Sequence, residues 1–177
     1  MFQRNPRRRA FSLIELVIVI VILGIIAAIA IPRIGSGSRN AGESALRANL
    51  ASLRNAIDWY YGEHHNVYPG ANPDGLGGGA DSEAAFVSQL TMYSDANGNV
   101  SASKDPAFPF GPYIRVDIPE LPVGANAGQN TVTVVNQAGP LVANPGDGNG
   151  WLFNANTGQF IANSTDAGSD GVTYDLY

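Results

Sequence analysis

Few side chains in this 177-residue chain are spaced for chemistry. Glu63, His64 and His65 are consecutive, which invites a metal site. Adjacent side chains on a helix point apart, however, and the HExxH spacing that puts two imidazoles on one face is absent. The expectation is a pair of surface or helix-terminal histidines. The run DANGN (95–99) imitates the first half of a calcium loop. It lacks glycine at the sixth position, where Val100 stands, and glutamate at the twelfth, where Pro106 stands, so it reads as an ordinary turn. Asp166, Asp170 and Asp175 lie in a polar tail (NSTDAGSDGVTYDLY), as carboxylates solvating a flexible segment. No GxSxG motif or paired base accompanies a serine. The chain has no cysteine, which removes thiolate nucleophiles, thiolate metal sites and disulfides. Asn99 and Asn163 open N-x-S/T acceptor patterns of a kind frequent by chance. Nothing here supports an enzyme or calls for a cofactor.

Glu15 poses a different question. Residues 16–31 read LVIVIVILGIIAAIAI, sixteen positions without a charged or polar side chain, and the apolar segment counted from Phe11 is 21 residues long. At about 1.5 Å per residue such a helix covers roughly 30 Å, the thickness of a bilayer's hydrocarbon core. Arg4, Arg7, Arg8 and Arg9 precede it, so the positive-inside rule keeps the N-terminus in the cytoplasm and exports the rest of the chain. Within an apolar span a carboxylate costs on the order of 2.5–3.5 kcal/mol. Either Glu15 snorkels at the interface or it has a cationic partner in the membrane or in an assembly. The run is longer than a secretory signal's apolar core, although Ala27, Ala28 and Ala30 could mimic a cleavage site.

The segment RRRAFSLIELVIVIVILGIIAAIAIPR (7–33) resembles the leader junction and N-terminal helix of the type IV pilin and type II secretion pseudopilin superfamily. The resemblance rests on a basic leader, a small-Phe junction, a Glu at fixed offset and a long apolar helix. It implies a leader at 1–10, cut by a prepilin peptidase between Ala10 and Phe11, with Phe11 then N-methylated. The family usually has Gly where this chain has Ala10. Glu15 becomes the fifth residue of the trimmed chain, where it can pair with the Phe11 ammonium of a neighbouring subunit. An unpaired buried charge penalises subunits out of register, so this pair would set axial register. Gly24 and Pro32 fit the stretch where the family's helix loses order inside filaments, since Pro removes a backbone donor and Gly weakens a helix. Membrane helices also simply tolerate both. Implied partners are further copies of the chain, the membrane, the peptidase and an inner-membrane assembly platform. Calcium near the C-terminus of major pseudopilins makes Asp166, Asp170 and Asp175 candidate oxygen ligands.

Positioning falls to the elements downstream of the apolar run. After GSGS (35–38), Leu46, Leu50, Leu53, Ile57 and Tyr60 recur at helical steps and define one apolar stripe. An amphipathic helix is expected from about residue 40 to 61, and residues 35–38 could break it from the first. Four segments result: leader (1–10), apolar helix (11–33), amphipathic half (34–61) and a globular head (62–177). In the head, Asp81 or Ser82 can cap a short helix in which Phe86, Leu90 and Tyr93 share a face. TVTVVN (131–136) reads as a strand. WLF (151–153) and QFIA (159–162) flank a five-residue loop as a hairpin. The fold expected is α+β: three to four antiparallel strands covered by the amphipathic helix.

Charge separates the halves. Residues 1–54 carry eight Arg against Glu15 and Glu43, a net +6; residues 55–177 carry Lys104 and Arg115 against thirteen acidic side chains, a net -11. An acidic head repels the phosphates that supply most nucleic-acid affinity, so no nucleic acid is expected there. Three functions remain open: a secretion pseudopilin of the G type, a type IV pilus pilin serving adhesion, motility or DNA uptake, and a signal-anchored exported domain that does not polymerise. The missing cysteines and the C-terminal hairpin lean toward the first. The location expected is the inner membrane, single-pass, then a periplasmic or extracellular filament.

Overall fold

A run of side chains with no core to bury them opens the described chain. The computed structural model describes residues 11–177, with side chains at 11–28 and 37–177. The expected leader with Ala10, and the ring of Pro32, lie outside the described residues. Helix α1 (Leu13–Glu63) is a single element of 51 residues, and its backbone stays helical through residues 35–38. The chain divides into two compact units, Met1–Arg39 and Asn40–Tyr177. Among the described residues, no helix is long and apolar enough to cross a membrane.

In the second unit, burial follows the sequence period. Leu46, Leu50, Leu53, Ile57 and Tyr60 are all at most 2% exposed, as steps of three and four residues on one helix face require. They pack with Phe86 and Leu90, with Ile118 and Leu121, and with Trp151, Phe153 and Phe160. Helix α2 (Glu83–Thr91) is capped by Ser82, whose hydroxyl accepts the Ala85 N–H at 3.2 Å. Phe86 and Leu90 share its buried face, but Tyr93 does not belong to it. The helix ends at Thr91, and Tyr93 enters strand β1 (Tyr93–Ser94) instead.

Strands β1 and β2 (Val100–Ser101) form a small antiparallel ribbon. Strands β3 (Val132–Val135), β4 (Trp151–Asn154) and β5 (Phe160–Ala162) form the main sheet in that order. The β4–β5 hairpin is antiparallel, pairing Trp151 with Ala162 and Phe153 with Phe160. Its loop has the expected five residues but lies one position on, at 155–159 rather than 154–158, because Asn154 joins β4 and Gln159 leaves β5; Gly158 in it has φ +75°, a conformation that favours glycine.

The α+β layout holds, but the sheet is mixed where an antiparallel one was expected. Strand β3 runs parallel to β4, with Val132 opposite Trp151 and Val135 opposite Asn154. A parallel pair needs a crossover of a dozen residues or so, and residues 136–150 provide it. That crossover contains only one 3-10 turn, Pro145–Asp147, so its backbone groups need side-chain partners. Buried asparagines supply them. Asn154 Nδ2 donates to the Gln137 and Gly139 carbonyls at 2.9 and 3.1 Å. Asn163 Nδ2 donates to the Asn144 and Asn149 carbonyls, and its Oδ1 accepts the Asn144 N–H at 2.7 Å.

Candidate functional site

The first unit offers a surface. Leu13, Ile14, Leu16, Val17, Ile18, Val19, Ile20 and the aliphatic residues onward to Ile26 are all exposed, from 42% at Val17 to 83% at Leu13. Phe11 is 81% exposed just before the helix. A helix apolar on every side belongs inside lipid or among other helices. Contiguous apolar surface of this extent marks an interaction site rather than ordinary exposure. Glu15 stands in the first turn, the only carboxylate in that turn, where the partial positive charge of the helix N-terminus favours it. At Gly24 a Cβ would meet nothing within 4 Å among the described residues, so no packing there calls for glycine.

A second constellation fastens the tail to α1. The Glu43 carboxylate, 2% exposed, accepts the Ser169 N–H at 2.8 Å, the Ser169 hydroxyl and the Tyr174 hydroxyl at 3.3 Å. One turn on, Arg47 forms an ion pair with Asp170 at 2.8 Å and lies 4.2 Å over the Tyr177 ring. Arg54 donates through Nε and Nη2 to the Phe160 carbonyl and through Nη1 to the Tyr177 carbonyl. Positions 43, 47 and 54 fall on one helix face, beside the apolar stripe. Sequence reasoning missed these three: Arg47 and Arg54 merely fall off the apolar stripe and Glu43 belongs to no motif, so the one signal is their shared face.

The tail aspartates are thereby separated. Asp170 belongs to Arg47 and to the Tyr177 hydroxyl, 2.8 Å away. That hydroxyl, the Val172 N–H and Arg47 together hold the Asp170 carboxyl below the usual carboxylate range. Asp166 pairs with the Ser164 hydroxyl at 3.2 Å. Asp175 Oδ1 is buried with no hydrogen-bond partner. Among the described residues, no three His, Cys, Asp or Glu side chains gather where they could hold a metal ion.

The histidines differ from one another. His65 is exposed at φ +55°, its Nδ1 3.0 Å from the Ala96 carbonyl. His64, expected at the surface or a helix end, does follow α1 but is only 1% exposed. Its ring stacks on Tyr60 at 3.7 Å, with Nδ1 2.8 Å from the Tyr60 carbonyl and Nε2 3.0 Å from Ser94 Oγ. Burial lowers its pKa, outweighing the lift from the Tyr60 carbonyl, Glu63 and Asp95. The imidazole is core, bridging α1 and β1. Residues 95–99 form the expected turn between β1 and β2: Asp95 accepts the Asn97 and Asn99 N–H groups and the Asn99 side chain. Asn163 is fully buried with its amide engaged, so that acceptor pattern is closed to modification in the folded chain.

An exposed all-apolar helix with one carboxylate in its first turn, followed by an amphipathic half under a small α+β head, defines a pilin-like layout. A family pattern described as the prokaryotic N-terminal methylation motif matches residues 5–31. The N-terminal segment of this chain is similar to that of type IV pilins and type II secretion pseudopilins. The chain is similar to the type IV major pilin protein PilE1 of Neisseria gonorrhoeae, 35% identical over 99 residues, covering 55% of this chain and 44% of that protein. It is 40% identical over 72 residues to the type IV major pilin protein PilA of Myxococcus xanthus, covering 41% and 33% of the two chains. It is 32% identical over 68 residues to the type II secretion system core protein G of Escherichia coli K12, covering 38% and 46%. The chain thus spans less than half the length of these relatives. No solved structure matches it significantly.

Proposed function

We propose that this chain is a structural, non-catalytic subunit of a pilin-like filament, built on its N-terminal helix. The observation that carries the reading is the exposed apolar surface of residues 11–26 with Glu15 as its one carboxylate. Such a surface needs a covering of lipid before assembly and of other copies after it. A prepilin peptidase cuts between Ala10 and Phe11, Phe11 is N-methylated, and Glu15 pairs with the Phe11 ammonium of a neighbour. The trimmed chain waits in the inner membrane, held by the apolar run that continues in sequence to residue 31, until an assembly platform adds it to the filament. Gly24 and Pro32 let that part of the helix yield during assembly.

The finer reading is a G-type pseudopilin of a type II secretion system. The cysteine-free chain and the β4–β5 hairpin support it, together with the similarity to core protein G. A type IV pilus pilin is the second reading, favoured by the longer match to a type IV major pilin. Calcium at the tail is a lesser proposal: Asp175 Oδ1 is unpartnered, but Asp166 and Asp170 are not gathered with it, so carbonyl oxygens would have to complete the site; a melting temperature that rises with calcium and falls with chelator tests it.

Peptide mass spectrometry of the N-terminus decides the main reading, run on sheared surface filaments and on washed membranes from the native host. N-methylated Phe11 in the sheared fraction supports a surface pilus. The same terminus confined to membranes supports a pseudopilus. An intact Met1 leader, or a cut beyond the apolar run, in both fractions overturns the filament reading.

A further inference from the structure

On the flank of α1 away from the tail, Trp59, Glu63, Pro109, Phe110, Gly111, Pro112 and Tyr113 enclose a cleft of about 280 Å³. Trp59 and Glu63 are one helical step of four apart and so share a face. Trp59 is 73% exposed and stacks on no other ring among the described residues. The inner rings are fixed from behind. Phe110 lies 5.3 Å from the buried His64 ring, and Tyr113 lies edge-on to Tyr60 at 5.6 Å.

The cleft has few hydrogen-bond donors to spare. Pro109 and Pro112 have no N–H. The Phe110 N–H is spent on the Ser94 carbonyl and the Tyr113 N–H on the Leu90 carbonyl. The Tyr113 hydroxyl donates to Glu63 Oε2, and burial together with that carboxylate pushes its pKa up, so it stays protonated. Apart from the Trp59 indole N–H and the Gly111 N–H, the cleft is lined by aromatic rings, prolines and one carboxylate. Among the described residues, no Lys or Arg pairs with Glu63. The surrounding head is strongly acidic.

We propose that this cleft binds a small organic ammonium ion, seated against the faces of Trp59, Phe110 and Tyr113 with Glu63 as counter-charge. Aromatic faces attract such cations through the ring quadrupole, most strongly at Trp. A bare metal ion fits poorly, because it would need several oxygen ligands where the cleft has one carboxylate. A carboxylate or phosphate ligand would meet Glu63 without a cation to offset it. This assignment is independent of the filament reading.

The test uses the full chain in a maltoside detergent, which carries no ammonium headgroup, with choline as the probe. Trp59 reports binding by its fluorescence, since the other tryptophan, Trp151, is fully buried. Choline chloride, against sodium chloride at equal ionic strength, is expected to change Trp59 emission saturably in roughly the millimolar range. Its neutral carbon isostere, 3,3-dimethylbutan-1-ol, should not. Glu63→Gln should weaken choline binding by about two- to fivefold, and Trp59→Leu, followed by the choline methyl signal in NMR, by a similar factor or more. Both positions are solvent-exposed, so neither variant threatens folding. An equal response to the isostere would make the cleft an apolar patch and overturn the assignment. So would the absence of any saturable response, which would leave Trp59 free for a contact with another copy of the chain.

Discussion

Glu43 and Ser169 stand 126 positions apart in sequence, yet the buried Glu43 carboxylate accepts both the backbone N–H and the hydroxyl of Ser169. Removing the carboxylate takes the partner from both donors at a part-buried site and leaves the space under the tail unfilled. Glu43→Ala should cost about 1–3 kcal/mol. Thermal unfolding of the solubilised chain measures it, and limited proteolysis should then cut first within residues 164–177. A variant as stable as the parent, with an unchanged digestion pattern, would show that the latch contributes nothing.

Gly158 should be intolerant of any side chain. Its φ is +75°, and a Cβ there would overlap the Tyr68 ring at Cε1. Gly158→Ala is expected to destabilise by about 1–3 kcal/mol. Combining it with Tyr68→Ala should recover the clash but not the backbone penalty, and a double-mutant cycle separates the two. Additive costs would place the strain elsewhere.

His64 makes the head sensitive to acid. Burial lowers its pKa from the ordinary 6.5 despite the nearby Glu63 and Asp95 carboxylates. Below pH 6.5 the unfolded chain therefore binds a proton that the folded chain still refuses. Stability should be level above that pH with respect to this group and fall as pH drops through the lowered value. Melting temperatures between pH 7.5 and 5 check this. His64→Phe should melt lower at neutral pH, having lost the bonds to the Tyr60 carbonyl and Ser94, but with a flatter dependence on acid. An unchanged slope would assign the acid sensitivity to other groups.

Glu15→Ala separates anchoring from assembly. The substitution removes the one carboxylate of the first turn and leaves the apolar surface as it is. The amount of chain in the membrane fraction should be unchanged. Sheared filament should fall by about tenfold or more, because a neighbour's ammonium would be left without its counter-charge. A normal filament yield would remove the register argument.

Periodic features were legible in the sequence, and long-range ones were not. The stripe from Leu46 to Tyr60, the Ser82 cap and the β4–β5 hairpin each depend on residues a few positions apart, and the structure reproduces them. The parallel pairing of β3 with β4 is decided by how residues 136–150 find partners, and those partners are Asn154 and Asn163. Polar residues of that kind read as loop until their burial is known. His64 misled for a related reason: its imidazole is buried because Ser94, thirty positions on, supplies a partner. At the N-terminus the reading came from a family resemblance carried by residues local to one another, the basic run, the Phe11 junction and Glu15, and the methylation motif matches that same stretch.

The fastening of the tail to α1 also bears on timing. Glu43, Arg47 and Arg54 hold residues 123 to 131 positions away, and β5 closes the main sheet only once residues 160–162 are present. Contacts of such long sequence separation form late, after the entropy of closing the whole loop has been met. A head delivered across a membrane from its helix end would thus remain open until residues 160–177 had emerged. Chains halted before that point would expose an unfinished sheet edge and an unfastened α1 flank.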